Sequence, residues 1–88
     1  MDTFSNLLRY VSNTKRREVL RYLVDHGPCR PTDIIDHTDI VQPVVSVALQ
    51  RGLLSGWLEM EEDGRCRYYS VKNTTLRAIL EEEALYDL

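Results

Sequence analysis

The sequence predicts a small α+β domain, mainly helical, with a single β-hairpin between its fourth and fifth helices. Three observations predict it. Apolar residues recur at helical spacing through most of the chain. At Trp57 the period shortens to two and holds to Val71, broken by Asp63-Gly64. Two helical stretches are joined by only Thr38-Asp39-Ile40, a connection tight enough to fix them as a pair. The 88 residues fit one domain, 1–88. At this size only about 60–65% of the unfolded surface can be buried, so a second core is not expected. The hydrophobic content of 43% and charged content of 28% are those of an ordinary globular domain.

Each element has a local reason. Residues 2–11 read as a short amphipathic helix with Phe4, Leu7, Leu8 and Val11 on one side. Ser12-Asn13 interrupts it, and Asn13 can cap a second helix over Thr14–His26, whose Val19, Leu20, Leu23 and Val24 form a core face. Gly27-Pro28 ends that helix. Cys29-Arg30 is too short for an independent strand. Pro31 then opens a third helix, Pro31–His37, with Ile34 and Ile35 apolar and Thr32 and Asp33 in the favoured first turn. On a helical wheel over residues 42–55, Val45, Leu49, Gly52 and Leu53 gather on one side, which predicts a fourth helix turning that side to the core. Pro43 sits where its missing N–H costs nothing, Val41 is a poor N-cap, and Gly56 marks the exit. Over residues 57–62, Leu58 and Met60 share one strand face and Trp57, Glu59 and Glu61 the other. Asp63-Gly64 is a two-residue hairpin turn, and residues 65–71 run back with Tyr69 and Val71 facing the core. Asn73 or Thr74 caps a last helix over residues 75–86, with Leu76, Ile79, Leu80 and Ala84 on its apolar side.

The net charge is −3 but unevenly spread: residues 1–58 hold seven Lys/Arg against six Asp/Glu, and residues 59–88 hold four against eight. Lys15-Arg16-Arg17 with Arg9 and Arg21 is the only basic cluster, readable as a phosphate-contacting patch or as a solvated helix face. No apolar run approaches a membrane span and nothing near Met1 reads as a signal peptide, which predicts a cytoplasmic protein with no membrane partner. Cys29 and Cys66 lack any paired spacing and read as packing residues rather than a thiol switch or a disulfide.

The stretch over residues 40–58 carries more than periodicity. Ile40, Gln42-Pro43, Val45-Ser46, Leu49 and Gly56-Trp57-Leu58 together resemble the recognition-helix signature of winged helix-turn-helix transcription regulators, ArsR-like first and MarR-like second. The wording K-R-R-E-V-L-R-Y-L in the second helix and R-Y-Y-S-V in the returning strand is similar to ArsR-like domains as well. The resemblance covers residues 14–72. It implies a winged helix-turn-helix with a two-stranded wing, a small first strand at Cys29-Arg30, and flanking N- and C-terminal helices. Segments 1–13 and 73–88 would then be dimerisation helices around the 14–72 core.

What the resemblance implies about function is equally definite: a homodimeric, sequence-specific DNA-binding transcription regulator, a repressor occupying a pseudo-palindromic site on double-stranded DNA. Gln42, Ser46, Gln50 and Arg51 would read base edges. Arg30, Thr32, Arg65 and Arg67 would touch the backbone, although each is also an ordinary surface residue type. Phe4, Leu7, Leu8, Val11, Leu76, Ile79 and Leu80 would form the dimer interface, unless those stripes only cover their own domain.

Four features depart from the family pattern. Pro43, Val44, Val47 and Leu54 give the outward arc of the fourth helix an apolar character, which supports an alternative function as a protein-interaction module, an antirepressor or assembly factor, contacting a partner through Val44, Val47 and Leu54. Gly52 stands where relatives keep a core Leu, at a cost of about 1 kcal/mol of helix propensity relative to Ala. Glu59, Glu61, Glu62 and Asp63 make one wing strand acidic, which phosphates would repel. The paired cysteines and the His-carboxylate set of metal-sensing relatives are missing; Asp33 and His37 at i, i+4 supply only two ligands, so neither metal nor cofactor is expected. Nothing resembles a catalytic constellation, and an enzyme is not expected.

Overall fold

The computed structural model describes residues 2–86. Met1, Asp87 and Leu88, the outermost positions of the expected 1–13 and 73–88 segments, lie outside the described residues. The element order is α1 (Thr3–Ser12), α2 (Thr14–His26), α3 (Pro31–His37), α4 (Gln42–Leu54), β1 (Leu58–Asp63), β2 (Cys66–Val71) and α5 (Thr74–Tyr86).

The helices start where short polar side chains can satisfy free backbone N–H groups. The Asp2 carboxylate accepts from Ser5 N at 2.7 Å, the Asn13 side-chain carbonyl from Arg16 N at 2.9 Å, and that of Asn73 from Leu76 N at 2.8 Å. The bond from Ser5 holds the Asp2 carboxyl below its ordinary value. At α3 the cap comes from inside the helix: the Asp33 carboxylate accepts from the Arg30 backbone N–H at 2.9 Å and from the Arg30 guanidinium at 2.8 Å.

Burial agrees with the periodicity in α2, where Val19, Leu20 and Leu23 are at the centre of the core. It differs in α1. That helix buries Leu7, Tyr10 and Val11, while Phe4 and Leu8 stay exposed. Tyr10 reaches inward because its ring lies against Trp57, with centroids 4.7 Å apart, and its hydroxyl donates to the Ala48 carbonyl at 2.6 Å. A ring is thus buried with its polar end satisfied, and the same burial keeps the hydroxyl protonated far above the usual phenol range.

In α4 the buried residues are Val45, Ala48, Leu49 and Gly52, with Leu53 only half-buried. The helix exit explains a second difference. Gly56, at φ 77°, donates to Leu53 O, and Trp57 N donates to Gly52 O, the pair of bonds that closes a helix on a left-handed residue. Trp57 is therefore part of the helix exit rather than the first residue of the strand. Alternation starts at Leu58, and Trp57 is buried instead of sharing a face with Glu59 and Glu61.

The strands pair antiparallel with Leu58 opposite Val71, Met60 opposite Tyr69 and Asp63 opposite Cys66. The two turn residues are consequently Gly64-Arg65, one position beyond the expected Asp63-Gly64. Of the two, only Gly64 has positive φ, at 64°, which suits glycine in the first central position of a type II′ turn. Cys29 adds a single bridge to the hairpin, exchanging bonds with Tyr69 of 3.0 and 2.8 Å. In α5, Leu76 and Leu80 are fully buried and Ile79 is half-buried. Glu83 joins α5 to α2 by accepting from Arg17 at 2.6 Å and from Arg21 at 3.0 Å.

Candidate nucleic-acid interface

A helix presented to DNA needs one side anchored and the opposite side free. The anchor of α4 is its buried quartet and the turn before it, where Thr38 Oγ1 donates to Ile34 O at 2.6 Å and accepts from Ile40 N at 3.2 Å, with Ile40 itself buried. The free side divides into two flanks. Gln42, Ser46 and Gln50, spaced i, i+4, i+8, form one exposed polar stripe. Arg51 is turned roughly 100° from Gln50, as adjacent helical residues must be, and lines a cleft with Arg9 and Arg16 on the other flank. Arg51 thus stands on a different flank of α4 from Gln42, Ser46 and Gln50, though all four are exposed.

The apolar arc is smaller than expected. Leu54 is 82% and Val47 45% exposed, but Val44 is half-buried against the core. The basic cluster is also partly used up within the fold. Arg17 and Arg21 are bonded to Glu83, Lys15 lies 3.7 Å from Glu18, and Arg16 donates to Tyr10 O while lying over the Tyr10 ring.

Of the backbone-contact candidates, Thr32 is exposed on the first turn of α3, and Arg30 is exposed but clasped by Asp33. That clasp holds the Asp33 carboxyl below its ordinary value. Arg65 stands at the hairpin tip. Arg67, one strand step behind, lies 3.6 Å from Glu62. Glu59, Glu61, Glu62 and Asp63 are all exposed, so the wing carries both signs.

Of the seven dimer candidates, Leu7, Val11, Leu76 and Leu80 have no more than 5% of their surface free and can give none to a second chain. They cover their own domain because each lies on the inner stripe of its helix. What α1 and α5 leave outward is Phe4, Leu8, Leu85 and Tyr86, with Ile79 half-buried beside them. The Asp33 carboxylate is occupied by Arg30, and His37 Nδ1 faces Asp33 O at 2.8 Å; no group of three His, Cys, Asp or Glu among the described residues could hold a metal ion. Cys29 donates to Gly27 O, and burial pushes its thiol up; Cys66 is half-buried, and both are free.

Tyr10 and Gly52, which set where α4 sits, were the residues least visible in sequence. Tyr10 has a signal, three residues after Leu7 and one before Val11. Gly52 has one only as a small residue on the core side of α4.

The order of three helices after an N-terminal helix, a tight helix-turn-helix and a two-stranded wing defines the winged helix-turn-helix fold. Solved structures of that fold superimpose over nearly the whole chain. The predicted DNA-binding transcriptional regulator from E. coli aligns with a TM-score of 0.84 at 24% identity, covering 93% of this chain and 86% of its own. The transcriptional repressor PagR of Bacillus anthracis aligns at 0.81 and 24%, covering 90% of each chain. The homodimeric winged helix-turn-helix DNA-binding domain Mb0332 from Mycobacterium bovis aligns at 0.78 and 18%, covering 96% and 77%. No protein-family model and no curated sequence matches the chain.

Proposed function

We propose that this chain is a sequence-specific DNA-binding transcription regulator and not an enzyme, acting in the cytoplasm as a homodimeric repressor. The observation that carries the reading is the stripe Gln42, Ser46, Gln50: three exposed polar groups aligned on the second helix of a helix-turn-helix, on a helix that contains no acidic residue. Glutamine can bond adenine at two positions, and each such pair is worth about 1–3 kcal/mol of discrimination. In this reading Thr32 and Arg30 at the start of α3 and Arg65 and Arg67 on the wing contact phosphates. The acidic neighbours of the wing arginines limit how deeply it approaches. Among the described residues no helix is long and apolar enough to cross a membrane.

Dimerisation through the outward residues of α1 and α5 is supported by the area they leave exposed and by the homodimeric state of the Mycobacterium bovis domain. The 1–13 and 73–88 segments then flank a 14–72 DNA-binding core, and two recognition helices related by a two-fold axis meet a pseudo-palindrome.

The test is fluorescence anisotropy of the purified chain on random duplex DNA and on its own upstream region across a salt series. Tighter upstream binding with a steep negative salt slope supports the reading. No binding to either duplex at low salt refutes it.

A further inference from the structure

Between the outer flank of α1 and the C-terminal end of α4 lies a cleft of about 490 Å³. Arg9, Arg16 and Arg51 line it, and among the described residues no carboxylate does. Among the described residues no ion pair involves Arg9 or Arg51, whereas Arg17, Arg21 and Arg30 each have an acidic partner. In a chain with three more acids than bases, three guanidinium-bearing side chains around one concavity concentrate positive potential. Arg16 is positioned by its 3.2 Å bond to Tyr10 O and by the Tyr10 ring beneath it. Asn6 and Ser55 add neutral hydrogen-bonding groups, and Leu54 adds an apolar wall.

We propose that this cleft is a binding site for a small organic oxyanion, a phosphate ester or polycarboxylate, gripped by Arg9, Arg16 and Arg51. Guanidinium forks match such groups in pairs of parallel hydrogen bonds, and the volume suits a metabolite-sized molecule. The position separates this site from both surfaces proposed above. On α1, Asn6 and Arg9 lie on the flank opposite Phe4 and Leu8; on α4, Arg51 and Ser55 lie on the flank opposite Gln42, Ser46 and Gln50. The cleft therefore lies on different helix flanks from those proposed for a second copy and for DNA. Its floor includes Tyr10, whose hydroxyl holds the Ala48 carbonyl, so an occupant bears directly on the joint between α1 and α4. Any effect on DNA affinity rests on the regulator reading; occupancy does not.

Trp57, the only tryptophan, also lines the cleft and reports on it. The full chain is titrated without DNA, with sodium pyrophosphate in one arm and sodium citrate in the other, against sodium chloride at matched ionic strength. A saturable change in Trp57 emission in either arm is expected, the responding arm telling phosphate from polycarboxylate. Arg9→Gln and Arg51→Gln should each raise the midpoint by at least roughly tenfold. Arg51→Lys, which keeps the charge, should raise it less. Both substituted residues are exposed, so circular dichroism and melting temperature should stay at the wild-type values. Traces that follow the chloride line in both arms, or a midpoint unchanged by Arg9→Gln and Arg51→Gln, overturn the proposal whatever the chain does with DNA.

Discussion

Replacing Gly52 with Ala tests the packing that holds α4 in place. In an exposed helix this substitution is stabilising by about 1 kcal/mol. Here the added Cβ would fall 2.5 Å from Leu58 Cγ, 2.6 Å from Leu58 Cδ1 and 2.6 Å from the Tyr10 hydroxyl oxygen. Leu58 and Tyr10 are both buried, at 2% and 3% exposure, so each is held by its neighbours in the core. Overpacking of this kind costs about 1–3 kcal/mol, and displacing Tyr10 from Ala48 O forfeits a further 0.5–1.5 kcal/mol or about that. After the propensity gain the variant should be less stable by about 2 kcal/mol, which lowers the melting midpoint of a domain this size by about 8–16 °C. Thermal and urea unfolding followed by circular dichroism measure it. Because the hydroxyl is one of the obstructing atoms, Tyr10→Phe should relieve part of the penalty, making the double variant less unstable than the two single losses added together. A Gly52→Ala midpoint at or above wild type would refute the close-packing account, and strict additivity with Tyr10→Phe would remove Tyr10 from it.

Three further outcomes follow from the proposed interfaces and the α3 clasp. Gln42→Ala and Gln50→Ala should each narrow the affinity gap between the upstream site and random duplex, whereas Arg65→Ala with Arg67→Ala, which removes four phosphate contacts from the proposed dimer, should weaken both duplexes alike and flatten the salt slope by about 3.6; anisotropy across salt distinguishes them. Leu8→Glu and Tyr86→Glu, at exposed positions outside the core, should shift sedimentation toward the monomer without lowering the monomer's helix content. Asp33, held by Arg30 below its ordinary value, contributes stability that is present above the unfolded-state value and lost as pH falls through the folded one. Asp33→Asn should therefore show a shallower fall in urea midpoint below about pH 4.

The helices were legible in sequence because their limits are set locally. Asn13 and Gly27-Pro28 bound α2, and Pro31 opens α3, by side-chain and backbone chemistry that acts within a few residues. The wing's existence was legible from its period, but its turn was displaced to Gly64-Arg65, since Asp-Gly and Gly-Arg both satisfy hairpin chemistry and the register is decided by pairing across the strands. Contacts between distant segments were not legible. Nothing near Trp57 says that Tyr10 will lie against it, and nothing in α2 says that Glu83 will take up Arg17 and Arg21. The same limit applied to the candidate site. Residue type suggested Gln42, Ser46, Gln50 and Arg51 together, and only the packed structure shows that Arg51 also lines a cleft with Arg9 and Arg16. Gly52 looked like a weakness in α4, whereas Leu58 and Tyr10 leave room for no side chain there.

The Trp57 carbonyl accepts two backbone N–H groups, from Lys72 at 2.9 Å and Asn73 at 3.0 Å. One peptide thus fastens the end of α4, the close of the hairpin and the start of α5. A shift of that peptide would therefore be felt by α4, the wing and the terminal helix at once. For the proposed two-fold dimer joined through α5, the span between the two α4 helices would then depend on how α5 is set against α4. Such a protein would behave like a pair of callipers, intolerant of one inserted base pair between half-sites but indifferent to the sequence of the spacer.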